Sequence, residues 1–193
     1  MKSIAVFCGS SAGANPIYSN VTKQLGEVLV AQDITLVYGA GNVGLMGIVA
    51  DAVLNKGGKV IGTIPKFLED KEVAHYGITE LIVTDTMHQR KEKMAEVAEG
   101  ILVLPGGIGT LDEFFEIFTW QQLGLHSKPI GLLNINGYYN YLLKHIDHMV
   151  QEEFLKPYHR DRILVDEDPA ALIAKMKAQK IDYIDKWWVK NEE

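Results

Sequence analysis

Cysteine is almost absent from this chain. Cys8 is the single example in 193 residues, so no intrachain disulfide can form and a multi-cysteine zinc site is excluded. Long apolar runs are missing as well. Nothing approaches the roughly 18 consecutive apolar residues of a membrane-spanning helix. The N-terminal run Ile4-Ala5-Val6-Phe7 breaks at Gly9, without the length or cleavage pattern of a signal peptide. A basic excess is lacking too. Nineteen Lys and Arg face 25 Asp and Glu, a formal net charge of -6, which leaves no bulk basic footprint for a nucleic acid. The expectation is a cytoplasmic protein whose partners include neither membrane nor nucleic acid.

What is present is a globular composition, 47% hydrophobic and 23% charged, which excludes a disordered, collagen-like or coiled-coil chain. A single domain of this length buries about 70% of its unfolded surface. Short β-branched runs alternate with longer amphipathic ones, the signature of βαβ units. Strands are expected at Ser3–Cys8, Ile34–Tyr38, Lys59–Ile64, Thr79–Thr84, Ile101–Leu104, Ile130–Asn134 and Arg162–Val165. Their continuous apolar character implies helices on both faces. Asn15-Pro16 reads as a helix start, and Ile17, Val21, Leu25 and Leu29 recur every fourth residue as one buried stripe. Further helices are expected over Leu45–Lys56 and Met87–Glu99, and from near Thr110, Tyr138 and Pro169. The predicted fold is α/β: a single-domain, Rossmann-like, doubly wound and mostly parallel sheet of about seven strands. Residues 1–180 form the domain in this reading. Residues 181–193 form a tail whose Trp187-Trp188 pair must be covered by the body or by a second subunit.

Three predicted strands run into glycine-rich turns: Gly9-Ser10-Ser11-Ala12-Gly13, then Gly39-Ala40-Gly41-Asn42-Val43-Gly44, then Pro105-Gly106-Gly107-Ile108-Gly109-Thr110. Glycine makes tight turns, and it also lets a ligand approach backbone N–H groups. Three such turns on one sheet edge favour an anionic ligand at helix N-termini. The second cluster matches G-x-G-x-x-G, but it follows the second strand, and no acid closes the next strand at Ile64-Pro65. A dinucleotide site is therefore disfavoured. No G-K-[ST] follows any glycine run, so a P-loop is disfavoured too.

The third cluster continues into Leu111-Asp112-Glu113 and, three residues on, Glu116. Thr110-x-x-Glu113 alone reads as a capping box. A carboxylate facing an anion site is otherwise unfavourable unless chemistry or a ribose hydroxyl uses it. Pro105-Gly106-Gly107-x-Gly109-Thr110-x-x-Glu113, with Arg90-Lys91 on the preceding helix and Gly44-Leu45-Met46-Gly47, resembles the "lonely guy" family of nucleoside 5'-monophosphate phosphoribohydrolases. The likeness runs over about Ile4 to Asn140.

That resemblance implies hydrolysis of the N-glycosidic bond of cytokinin riboside 5'-monophosphates, and of AMP as a poorer substrate, to free base and ribose 5-phosphate. It implies Arg90 and Glu113 as the catalytic pair. It implies substrate contacts at Glu72, Arg90, Lys91, Gly107, Ile108, Gly109, Thr110, Leu111, Asp112, Glu113 and Thr119. Ser10, Gly41, Gly106 and Glu116 join them from the glycine turns and the helix face. It also implies a homodimer, or a hexamer built from dimers. No metal and no cofactor are expected.

Each residue has a plainer reading. Arg90, Lys91, Glu92, Lys93 and Glu96 look like a solvated helix face. Glu72 looks like surface charge, and Thr119 like a threonine at the edge of the core. Phe114, Phe115, Phe118 and Trp120 suit core and interface. His145 and His148 lack a third ligand and read as surface. Two other functions compete: a nucleotide or molybdenum-cofactor carrier of the same fold, and an amino-acid decarboxylase. The first needs no Arg90–Glu113 pair. The second needs a pyridoxal phosphate lysine, for which no signature is present.

Overall fold

The apolar runs become strands because alternate residues fill two different cores. In β1 (Ser3–Phe7), Ile4 and Val6 face one layer, and Ala5 and Phe7 face the other. β2 (Thr35–Tyr38) separates Leu36 and Tyr38 from Val37 in the same way, and β5 (Gly100–Val103) separates Leu102 from Ile101 and Val103. The other strands are β3 (Val60–Pro65), β4 (Glu80–Thr84), β6 (Ile130–Leu133) and β7 (Ile163–Asp166). The computed structural model describes residues 1–69 and 74–181. In it the seven strands form one sheet in the order β4-β3-β2-β1-β5-β6-β7, with every pairing parallel. The expected strands are all found within a residue or two of their ends, and "mostly parallel" becomes wholly parallel. The Trp187-Trp188 tail lies outside the described residues.

Helices cover both faces. α1 (Pro16–Ala31), α2 (Gly44–Asn55) and α8 (Pro169–Ala178) pack on one, bringing Leu25, Leu29, Val49, Val53, Leu172 and Met176. α4 (Met87–Val97), α5 (Ile108–Gln122) and α6 (Asn140–Gln151) pack on the other, bringing Met94, Phe114, Ile117, Phe118 and Ile146. Two one-turn helices, α3 (Lys66–Glu69) and α7 (Pro157–Arg160), complete the set. Among the described residues no helix is long and apolar enough to cross a membrane.

Local signals behave unevenly. Asn15 caps α1 by accepting from the Ile17 N–H, with Pro16 at the first position, as expected. The buried stripe of α1 is only partly as expected. Leu25 and Leu29 are buried, whereas Ile17 is 37% exposed. A strict four-residue repeat drifts about 40° per step around a helix of 3.6 residues per turn, so its early members rotate off the core face. A larger correction concerns α5. It starts at Ile108 with Gly107 as its extended N-cap, so Thr110 lies inside the first turn and the Thr110–Glu113 capping box is not formed. The chain enters the helix two residues early because Gly107 already supplies the turn. The capping box instead sits on α4, where Thr86 and Gln89 bond reciprocally.

Because β1 lies between β2 and β5, the chain leaves it in one direction and resumes on its other side. The crevice outside the carboxyl ends of β1 and β5 is therefore the topological switch point, where doubly wound folds bind ligands.

Candidate active site

The three glycine turns meet at that crevice and pack backbone against backbone. The Gly9 N–H donates to the Pro105 carbonyl at 3.1 Å, and the Leu45 N–H donates to the Gly9 carbonyl at 3.1 Å. Gly44 has φ +56, and a Cβ there would collide with the Ser10–Ser11 backbone. Gly106 leaves room for the Thr110 side chain and the Gly9 amide. Gly107 and Gly109 differ: among the described residues nothing lies within 4 Å of where their Cβ would be. The turn packing does not require glycine at those two positions, so they remain open for a ligand.

The start of α5 is correspondingly open. α1, α4 and α8 carry side-chain caps, whereas α2, α5 and α6 have none, and of these three α5 starts at the cavity. The first N–H groups of a helix have no intrahelical acceptor and carry the positive end of its dipole. They border a cavity of about 290 Å³ lined by Cys8, Ser10, Gly39, Arg90, Gly107, Ile108, Gly109, Thr110, Asp112 and Glu113, with Met46, Met87 and Met94 among its apolar walls.

Arg90 is 5% exposed, so the solvated-face reading fails for it, holds for Glu92 and Glu96, and holds only in part for the half-buried Lys91 and Lys93. Its Nε donates to the Thr63 carbonyl at 3.2 Å, and its Nη2 donates to the Gly39 carbonyl at 2.9 Å. These bonds fix the guanidinium between β2 and β3. A Cβ on Gly39 would occupy the position of Nη2, so the first glycine of the G-x-G-x-x-G cluster makes room for an arginine rather than a dinucleotide. The next residue, Ala40, has φ +59, an uncommon conformation for an L side chain, and its carbonyl accepts from the His75 N–H at 2.9 Å. Strain of this kind clusters at functional sites. Glu113 faces the same cavity from α5. Cys8 lines the same cavity. Burial first, then the Glu113 charge, pushes its thiol up, while Arg90 acts in the opposite direction. The thiol stays neutral.

Residues 46–176 match the family described as "Possible lysine decarboxylase". A cytokinin riboside 5'-monophosphate phosphoribohydrolase of Rhodococcoides fascians is 46% identical over 178 residues, covering 92% of this chain and 90% of its own. Another, from Arabidopsis thaliana, is 45% identical over 179 residues, covering 93% of this chain and 78% of its own. The chain belongs to the lonely guy family of phosphoribohydrolases. Solved structures share the fold at lower identity. The molybdenum cofactor carrier protein of Chlamydomonas reinhardtii matches with a TM-score of 0.70 and 20% identity, over 91% of this chain and 96% of that one. The molybdenum cofactor binding protein of Rippkaea orientalis matches with a TM-score of 0.66 and 22% identity, over 92% and 96%. At such identities the likeness is one of fold.

The structure of this family member distributes the expected site residues unevenly. Ser10, Arg90, Gly107, Ile108, Gly109, Thr110, Asp112 and Glu113 line the cavity. Gly106 borders a second cavity of about 290 Å³, beside Ser11, Tyr18, Leu45 and Tyr138, which meets the first at Gly9, Ser10 and Gly107. Lys91, Leu111, Glu116, Thr119 and Gly41 line neither cavity. Lys91 Nζ pairs with Glu116 Oε2 at 2.7 Å and Asp112 Oδ2 at 3.1 Å, a clasp between α4 and α5. Burial alone lowers its ammonium pKa, but the two carboxylates outweigh it and leave the group above its ordinary value. Thr119 donates to the Phe115 carbonyl of its own helix at 2.7 Å. Gly41 bridges Ala74. Glu72 lies outside the described residues. Phe114 is buried and Phe115 only partly so, as their adjacent positions implied, and His145 and His148 are exposed.

Several lining residues went unforeseen: Cys8, Met87, Met94, Tyr18 and Tyr138. Met87 and Met94 had a signal, since they lie three residues before and four after Arg90 on one helix face. Tyr138 had none, because it arrives from 32 residues beyond the turn it touches. The decarboxylase description implies pyridoxal phosphate, which needs a lysine at the reacting carbon. Among the described residues no lysine lines either cavity, and Lys91 is engaged by two acids. The residues do not fit that cofactor.

Proposed function

We propose that this protein hydrolyses the N-glycosidic bond of cytokinin riboside 5'-monophosphates, and of AMP, releasing free base and ribose 5-phosphate. The observation that carries this reading is the convergence of Arg90, Glu113 and the uncapped start of α5 on one cavity. The phosphate accepts from the N–H groups of the Gly107–Thr110 turn. That places C1' of the ribose within reach of Glu113.

Breaking the C1'–N bond sends its electron pair to the base and builds positive charge on the ribose, as in glycoside hydrolysis. The Glu113 carboxylate stabilises that charge. It also orients the attacking water, whose oxygen bonds to C1' as Glu113 takes one of its protons. The leaving base gains negative charge and then a proton from solvent, and Glu113 returns its own proton to solvent. Arg90 stabilises it as a fixed cation, because a guanidinium with a pKa above about 12 is a poor acid. Phosphate binding positions the reacting centre remotely. A homodimer is the proposed assembly, the cytoplasm the proposed location, and Lys91, Glu116, Thr119 and Glu72 the proposed outer contacts of the substrate.

The decisive test incubates the protein and Glu113→Gln with AMP and with isopentenyladenosine 5'-monophosphate and quantifies released base by chromatography. The variant should lose about 10²- to 10⁴-fold in turnover. Nucleotide binding without release by the wild type would favour a carrier and overturn the reading.

A further inference from the structure

Three successive carbonyls in the third glycine turn are each held by a donor from elsewhere in the chain. The Tyr139 hydroxyl donates to Leu104 at 2.5 Å, the Gly9 N–H to Pro105 at 3.1 Å, and the Tyr138 hydroxyl to Gly106 at 2.6 Å. The last matters most, because the peptide it holds joins two glycines. Neither Gly106 nor Gly107 has a side chain to restrict rotation of that peptide, and Gly107 has no neighbour within 4 Å of its Cβ position. The restraint comes from outside, and Tyr138 provides it. The Tyr138 ring is itself held edge-on by Tyr18 at 5.8 Å and by Tyr139 at 5.0 Å.

In a trans peptide the carbonyl and the following N–H point in opposite directions, and no peptide among the described residues is cis. Tyr138 borders only the second cavity, whereas Arg90 and Glu113 border only the first, and Gly107 borders both. Pulling the Gly106 carbonyl toward Tyr138 therefore turns the Gly107 N–H toward Arg90 and Glu113. We infer that Tyr138 is a positioning residue. Its hydroxyl sets the Gly106–Gly107 peptide so that the Gly107 N–H is presented to the substrate's phosphate. This rests on the phosphate cradle proposed above. Without the hydroxyl the peptide is free to rotate, and the cradle loses one oriented donor to a charged oxygen, worth about tenfold or more in affinity.

The test is Tyr138→Phe, which keeps the ring. KM for AMP should rise about tenfold with kcat within threefold of wild type, and competitive inhibition by inorganic phosphate should weaken by the same factor. Thermal unfolding reports on folding separately. Tyr138→Leu should reproduce the KM effect, since the effect belongs to the hydroxyl. Tyr139→Phe, which removes a bond two peptides earlier in the core, should lower the melting temperature with KM nearly unmoved. Wild-type behaviour of Tyr138→Phe, with Tyr138→Leu impaired, would assign the effect to ring packing and overturn the inference alone. Failure of inorganic phosphate to compete with AMP in the wild type would overturn the cradle and the tyrosine inference together. If the wild type releases no base, calorimetric phosphate binding by wild type and Tyr138→Phe still decides the tyrosine's role.

Discussion

Gly44 and Gly107 lack a side chain for different reasons, and substitution separates them. Gly44 combines φ +56 with Ser10–Ser11 backbone where a Cβ would stand. Gly44→Ala should therefore cost about 1–3 kcal/mol or more, read as a lower melting temperature. Gly107 has φ -88 and open space. Gly107→Ala should leave the melting temperature unchanged and raise KM for AMP, because the methyl group enters the phosphate's space. The motif shows only that both are glycine. The neighbouring backbone decides which one serves packing and which one is left open for the proposed ligand. Arg90 makes the same point. Its row of charged neighbours reads as a solvated face, yet it is buried and bonded to carbonyls just past β2 and on β3.

Between elements, the Lys91 clasp joins α4 to α5 beside the cavity. Lys91→Met removes the cation between Asp112 and Glu116, beside the proposed phosphate site. KM for AMP should rise, and the rise should shrink as salt goes from about 0.05 to 0.3 M, because the exposed Asp112 carboxylate is screened over a shorter Debye length. The loop between α5 and β6 carries a second electrostatic device. His126 Nε2 bonds the Ile117 carbonyl at 2.9 Å, and its Nδ1 accepts the Lys128 N–H at 3.1 Å, a pattern for the neutral ring. Burial lowers its pKa below the ordinary 6.5. Between the folded value and 6.5 the unfolded chain binds more protons, so stability should fall as pH drops below about 6.5. His126→Gln should flatten that part of a urea-unfolding profile measured between pH 7 and pH 5. Helix boundaries belong to this scale too. Asn15-Pro16 and Asp168-Pro169 announce α1 and α8 because a capping side chain acts locally. Thr110 misleads because Gly107, three residues earlier, had already turned the chain.

At the scale of the whole molecule, the proposed dimer should sediment at twice the 21.5 kDa chain mass. A single species of chain mass across concentrations would overturn it. A second copy would cover apolar side chains such as Ile108 at the cavity mouth, 84% exposed in one chain. The alternation of apolar runs with amphipathic ones determined a parallel sheet with helices on both faces, because a strand buried on both sides must be apolar on both sides. The Pro105–Glu113 motif likewise marked one end of that sheet as the candidate site. Only the tertiary structure decided the rest. The order β4-β3-β2-β1-β5-β6-β7 depends on pairings between residues far apart in the chain, and it brings three separate glycine turns into one crevice. The burial of Arg90, the neutral thiol of Cys8 and the tyrosine that holds the Gly106–Gly107 peptide all arise from contacts across dozens of residues. No local propensity encodes such contacts, because their energy exists only once the sheet has formed.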